Sequence, residues 1–182
     1  MTEKMTHNGW QRPLIRALTT GMTLTVMAVI FFFSTENADL SNRTSDGPAQ
    51  WLLRIISPDY ERLPPEEQQT RYDQAQMIVR KAAHFSEYAM LGLSLRLCLE
   101  SWFGRRRRRL WPAAWACGTL YACTDELHQM LVDGRTGQLL DVVIDSAGVL
   151  FGAVLGGLLL AHVFRLEQAR PAAGGTDERG GA

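Results

Sequence analysis

Residues 17–35 contain no ionisable side chain, and residues 146–164 contain one, His162. Each block has about the 20 residues that a helix needs to cross the hydrocarbon core of a bilayer, so each reads as a transmembrane span. Two further apolar blocks are less clean. Residues 110–124 reach spanning length only by running on through Asp125, Glu126, Leu127, His128 and Gln129, and residues 79–103 carry Arg80, Lys81, His84, Glu87, Arg96 and Glu100. The expected fold is all-α, a polytopic bundle of four transmembrane helices. A hydrophobic content of 46% looks ordinary only because charges fill the gaps between the blocks.

Lys4, Arg12 and Arg16 precede the first span, as in a signal peptide. The apolar core is longer than a signal peptide's, however, and no small-x-small cleavage site follows, so the segment reads as an uncleaved anchor. The arginine run at 105–109 lies within a few residues of apolar helices. It is therefore a positive-inside determinant rather than a nucleic-acid contact, and no nucleic-acid partner is expected. Arg165 and Arg170 agree with that orientation, and four spans put both termini in the cytoplasm.

The expected organisation is a cytoplasmic segment over residues 1–13, a four-helix membrane domain over 14–164, and a tail over 165–182 whose Gly/Ala-rich, polar end reads as disordered. The long loop over about 34–78 lies outside. In it Trp51, Leu52, Ile55 and Ile56 recur at helical spacing, predicting a short amphipathic helix that lies on the bilayer or caps the bundle. Pro64, Pro65, Glu66 and Glu67 mark a helix start that can run on into the second span. Arg96 and Glu100 are spaced to pair one turn apart. Cys98, Cys117 and Cys123 all fall inside spans, odd in number and without metal-type pairing, so no disulfide is expected.

Followed to their outer ends, the spans bring scattered polar residues into one outward-facing layer. The second supplies Lys81, His84, Glu87 and Tyr88; the third supplies Tyr121, Asp125, Glu126, His128 and Gln129; the turn before the fourth supplies Arg135; the fourth opens with Asp141 and Asp145. A charged group at mid-bilayer costs roughly 2.5–3.5 kcal/mol, so these groups must be partnered or hydrated. Acids outnumber Lys81 and Arg135, and protonated histidine, raised carboxylate pKa values or a bound cation would each restore balance. A divalent metal on His84, His128 and carboxylates is chemically open, although no HExxH or CxxC spacing supports it. Ion pairing that merely fixes helix register is the structural alternative. Gly148, Gly152 and Gly156 form a small-xxx-small stripe on the face of Asp141 and Asp145, expected to pack inside the subunit, with a homodimer seam as the other option.

The run from Arg80 to Gly92, RKAAHFSEYAMLG, then Tyr121-Ala122-Cys123-Thr124-Asp125-Glu126-Leu127-His128-Gln129, Gly134-Arg135, and Asp141-Val142-Val143-Ile144-Asp145-Ser146-Ala147-Gly148 resemble the VanZ-like family of small bacterial membrane proteins. The likeness covers nearly the whole chain apart from the tails. Asp133 stands where members often have proline, and Ser34-Thr35-Glu36 replaces a more usual Ser-Ser-Gln. The resemblance implies a multi-pass protein of the bacterial cytoplasmic membrane acting in the cell envelope; the founding member lowers susceptibility to teicoplanin. It supplies no established reaction.

The residues point to a polar cavity for a polar or anionic ligand, and the resemblance implies an envelope component, such as the headgroup of a lipid-linked wall precursor. Lys81 and Arg135 would hold phosphate or carboxylate, and His84, Asp125 and His128 are the candidates for proton transfer. Glu87, Tyr88, Glu126, Gln129, Asp141 and Asp145 complete the expected lining. The alternatives are an intramembrane hydrolase or transferase using His84 and His128 with Glu87 or Asp125, with or without metal, and a structural partner in an envelope-synthesis complex.

Overall fold

A computed structural model describes residues 11–35, 38–104, 110–132 and 138–169. Among them the chain forms five α-helices and no strand: α1 Gln11–Ser34, α2 Ala38–Ile56, α3 Pro65–Phe103, α4 Leu110–Gln129 and α5 Leu139–Ala169, with a 3-10 turn at Tyr60–Arg62. Two helices, Arg12–Ser34 and Leu139–Val163, are long and apolar enough to cross a membrane. α3 packs on both of the helices that contain these spans, and α4 packs on α5 and α3.

The helix starting at Pro65 does run on into the expected second span. α3 has 39 residues, a length of about 58 Å at 1.5 Å per residue. Proline at its first position sacrifices an N–H that would have no partner there, and Glu66 and Glu67 complement the dipole. It stops at Gly104, which takes φ 72°, a left-handed conformation open to glycine, and donates its N–H to Glu100 O at 2.9 Å.

The expected outer loop over about 34–78 is largely helical. α2 lies antiparallel along the first turns of α3, joined to it through Tyr72 Oη and Gln76 Nε2, which donate to Asp46 Oδ1 at 2.7 and 2.6 Å. The amphipathic reading holds for α2, and of the four residues it rests on only Leu52 packs toward α3. Ala49 and Leu53 are buried against Ala75, while Trp51, Ile55 and Ile56 point away, Trp51 being 66% exposed. The reason is steric: a contact centred on two alanines brings the helices too close for indole or isoleucine. The expected tail also begins later than residue 165, because α5 continues to Ala169.

The glycine stripe of α5 packs on α3 within the chain. A Cβ at Gly152 would run into the Ala89 carbonyl oxygen, and one at Gly148 would lie 2.5 Å from Phe85 O. Gly92 on α3 returns the contact, its missing Cβ leaving room for the Val149 backbone. Arg96 pairs with Glu100 at 3.0 Å beside Gly156 and Gly157. All three cysteines are free thiols.

Polarity is distributed inside out. Ser34, Ser94, Asp125 and Asp145 are buried around a core of Ile30, Tyr88, Leu91, Ala122 and Val149, while Phe32, Leu120, Leu127, Phe151 and Leu158 cover the outside. So wide an apolar surface is incompatible with water and suits lipid. The arginine run at 105–109, Arg135 and the chain beyond Ala169 lie outside the described residues.

Candidate functional site

α1 and α4 end where α5 begins, and α3 passes alongside, so the polar residues that the sequence scatters collect at one end of the bundle. At the centre is Asp125, 4% exposed. Its Oδ1 accepts from Ser34 Oγ, its Oδ2 accepts from Gln129 Nε2 at 3.0 Å, and Gln129 Nε2 also donates to Ser34 Oγ at 3.1 Å. This closed triangle ties α1 to α4. Ser34, 1% exposed, was missing from the expected lining; the available signal was its place as the first hydroxyl after three phenylalanines at the end of the span.

Lys81 and Asp141 form an ion pair between α3 and α5. Glu126 Oε1 accepts the backbone N–H of Gln138 at 2.6 Å, setting a carboxylate against the start of α5 where the helix dipole favours it. His84 and Glu87 are half-buried on α3. The His128 ring packs on Phe31 with centroids 4.8 Å apart, and its Nδ1 is buried with no hydrogen-bond partner among the described residues.

Asp145 lies deepest, 2% exposed, and its Oδ1 meets no donor among the described residues. It stands one turn before Gly148, whose α-carbon abuts Phe85 and Tyr88, so the carboxylate faces α3. Its electrostatic neighbours are Asp125, Asp141, Glu126 and Glu87, which places acids from three helices around one point. Tyr88 is fully buried and has Asp125 and Asp145 as electrostatic neighbours, yet its hydroxyl makes no hydrogen bond of normal geometry among the described residues. Tyr121, its ring 6.4 Å from that of Tyr88, donates instead to Met27 O at 2.7 Å. Asp125 and Asp145 have no ion-pair partner among the described residues.

The structure thus brings together Lys81 with Asp141, Asp125 with Gln129, and Asp145 with Tyr88, Glu87 and Glu126. Arg135 lies outside the described residues, and no group of three His, Cys, Asp or Glu side chains among those described converges closely enough to hold a metal ion. Sequence reasoning also missed Ser146, which accepts from Trp115 Nε1 at 2.9 Å and lies 2.9 Å from the Thr119 hydroxyl, stitching α4 to α5.

The VanZ/LLP1 family model matches residues 20–160, a stretch that includes every member of this polar layer. The chain belongs to the VanZ/LLP1 family. No curated protein and no solved structure matches it. Membership of VanZ/LLP1, together with the two apolar helices and the inside-out surface, makes this a membrane-associated protein.

Proposed function

We propose that this VanZ/LLP1 member crosses the bacterial cytoplasmic membrane four times, turns its polar end outward, and binds there the headgroup of an envelope component such as a lipid-linked wall precursor. The observation that carries the reading is Asp145 Oδ1, a buried polar atom without a partner among the described residues, inside a layer rich in carboxylates. Buried polar atoms left without partners cost about 1–3 kcal/mol each. A headgroup bearing sugar hydroxyls or an ammonium supplies the donor that Asp145 Oδ1 does not find among the described residues. Lys81, on the rim beside Asp141, and Arg135 would take the phosphate of the same ligand.

The test is binding of a lipid-linked disaccharide-peptide precursor to purified protein in detergent, against a phospholipid with no sugar. Asp145→Asn keeps the volume and removes the charge; binding should fall at least about tenfold, the equivalent of one charged hydrogen bond, with thermal stability near wild type. Undiminished binding in that variant would sink the reading.

One observation favours a second reading. His128 Nδ1 is buried and unpartnered one turn from Asp125 on α4, a pair suited to moving a proton in hydrolysis or group transfer. Metal analysis of purified protein and product analysis of the bound precursor separate this reading from simple binding.

A further inference from the structure

The end of the bundle away from the polar layer holds a cavity of about 770 Å³ between α1, α3 and α5. Ile15, Leu97 and Leu160 give it apolar walls, and Arg12 and Arg16, one helical turn apart on α1, stand in it as well. Arg16 is held in place: its Nε donates to Ser101 O at 3.1 Å, and its guanidinium lies 5.1 Å from the centre of the Trp102 ring. Trp102 is itself fixed by an Nε1–H bond to Thr20 Oγ1 at 3.1 Å. These contacts use one edge and one face of the guanidinium, and its terminal nitrogens have no acceptor among the described residues.

Two like charges at this spacing repel. The one acid among the described lining residues, Glu100, is already paired with Arg96 at 3.0 Å. Among the described residues the cavity therefore joins partly preorganised positive charge, with no acid paired to it, to an apolar wall on the lipid-facing side of an apolar span. A soluble anion would satisfy the guanidiniums and leave the wall wet; an amphiphile satisfies both. A planar guanidinium fork matches a phosphate in two-point contact. Both arginines precede residue 20, where the family match begins, so the match does not imply this site.

We propose that the cavity is a binding site for an anionic phospholipid, with the headgroup phosphate on Arg12 and Arg16 and an acyl chain along Ile15, Leu97 and Leu160. The site is separate from the polar layer and independent of what that layer binds.

Native mass spectrometry of the full chain, released from detergent containing equal phosphatidylglycerol and phosphatidylcholine of the same acyl length, tests it. Each arginine near a membrane surface strengthens attachment to anionic lipid by about fivefold, so wild type should prefer phosphatidylglycerol by about 30-fold at low salt. Arg12→Gln with Arg16→Gln should bring the ratio near one. Arg12→Gln alone, an exposed residue in no hydrogen bond among those described, should cut the preference about fivefold and serves if the double variant does not fold. Arg12→Lys with Arg16→Lys should keep most of it, and Arg54→Gln, on α2, all of it. No preference in wild type, an undiminished preference in the glutamine variants, or an equal loss in Arg54→Gln would overturn the proposal. Inorganic phosphate in the millimolar range that strips phosphatidylglycerol from wild type would assign the site to a soluble anion instead.

Discussion

Gly152→Ala adds one methyl group at the closest approach of α5 to α3, and the structure says that it does not fit. The new Cβ would strike the Ala89 carbonyl oxygen and lie 2.7 Å from the Ala89 carbonyl carbon and 2.8 Å from Leu93 N, where ordinary contact begins at 3.4 Å. The obstacles are backbone atoms, so no side chain can rotate away. The helices must part by well over half an ångström, and packing lost along their seam adds to the overpacking cost of about 1–3 kcal/mol. In lipid that loss is serious, because close packing of small residues rather than water exclusion holds the helices together. Gly157→Ala is the matched control on the same helix, its Cβ meeting only the flexible Arg96 side chain at 3.6 Å. Thermal unfolding in detergent, with folded yield followed by size-exclusion chromatography, should show a clear loss for Gly152→Ala and little change for Gly157→Ala. Equal stability of the two variants would refute the claim that the glycine stripe is an intramolecular seam.

Cysteine labelling in intact cells should modify Gly47→Cys from outside and Gly104→Cys only after the membrane is opened; outside labelling of Gly104→Cys would end the four-span arrangement. Ser34→Ala removes a donor from buried Asp125 and should cost about 1–3 kcal/mol in detergent melts, with Ser34→Thr far milder. In the α2–α3 arm, the hydrogen bond to Asp46 and then burial raise the Tyr72 hydroxyl pKa above its ordinary 10.0. The folded arm thus holds that proton more tightly than the unfolded chain, so its contribution is complete below pH 10.0 and disappears as pH rises through the raised value. Tyr72→Phe should abolish that alkaline loss, read as arm proteolysis against pH, and cost about 1 kcal/mol at neutral pH.

The two clean spans were legible because an apolar helix of bilayer length has few other uses. α3 and α4 were less legible for a related reason: they carry the polar layer, and a helix whose charges point inward scores poorly on any average over its length. Helix direction alone decides which ends meet, and of the expected lining Lys81 on α3 and Asp141 on α5 do meet. What could not be read was which polar residue faces which. Ser34 looked like the edge of a span and is a buried ligand of Asp125. Trp51, Ile55 and Ile56 fitted either a bilayer surface or a cap on the bundle, and hydrophobicity could not show that the contact is set by the small residues Ala49 and Ala75 with Leu52 beside them.

The partners found at the polar end sort its residues by what each leaves undone. Lys81 and Asp141 neutralise each other between α3 and α5, and Ser34, Asp125 and Gln129 satisfy one another between α1 and α4. The buried triangle fixes helix register and needs no ligand, whereas Lys81, on the rim, keeps donors for one. Asp145 and His128 differ: each buries a polar atom with no hydrogen-bond partner among the described residues, and Asp145 and Tyr88 share Asp125 as an electrostatic neighbour. A layer with only a scaffolding role gains nothing from such atoms, because a buried polar network that is partly satisfied is worse than an apolar core of the same shape. A leucine at residue 145 would pack against α3 without needing a donor. That an aspartate stands there instead leaves an acceptor for which no described residue supplies a donor, the feature on which the proposed headgroup binding rests.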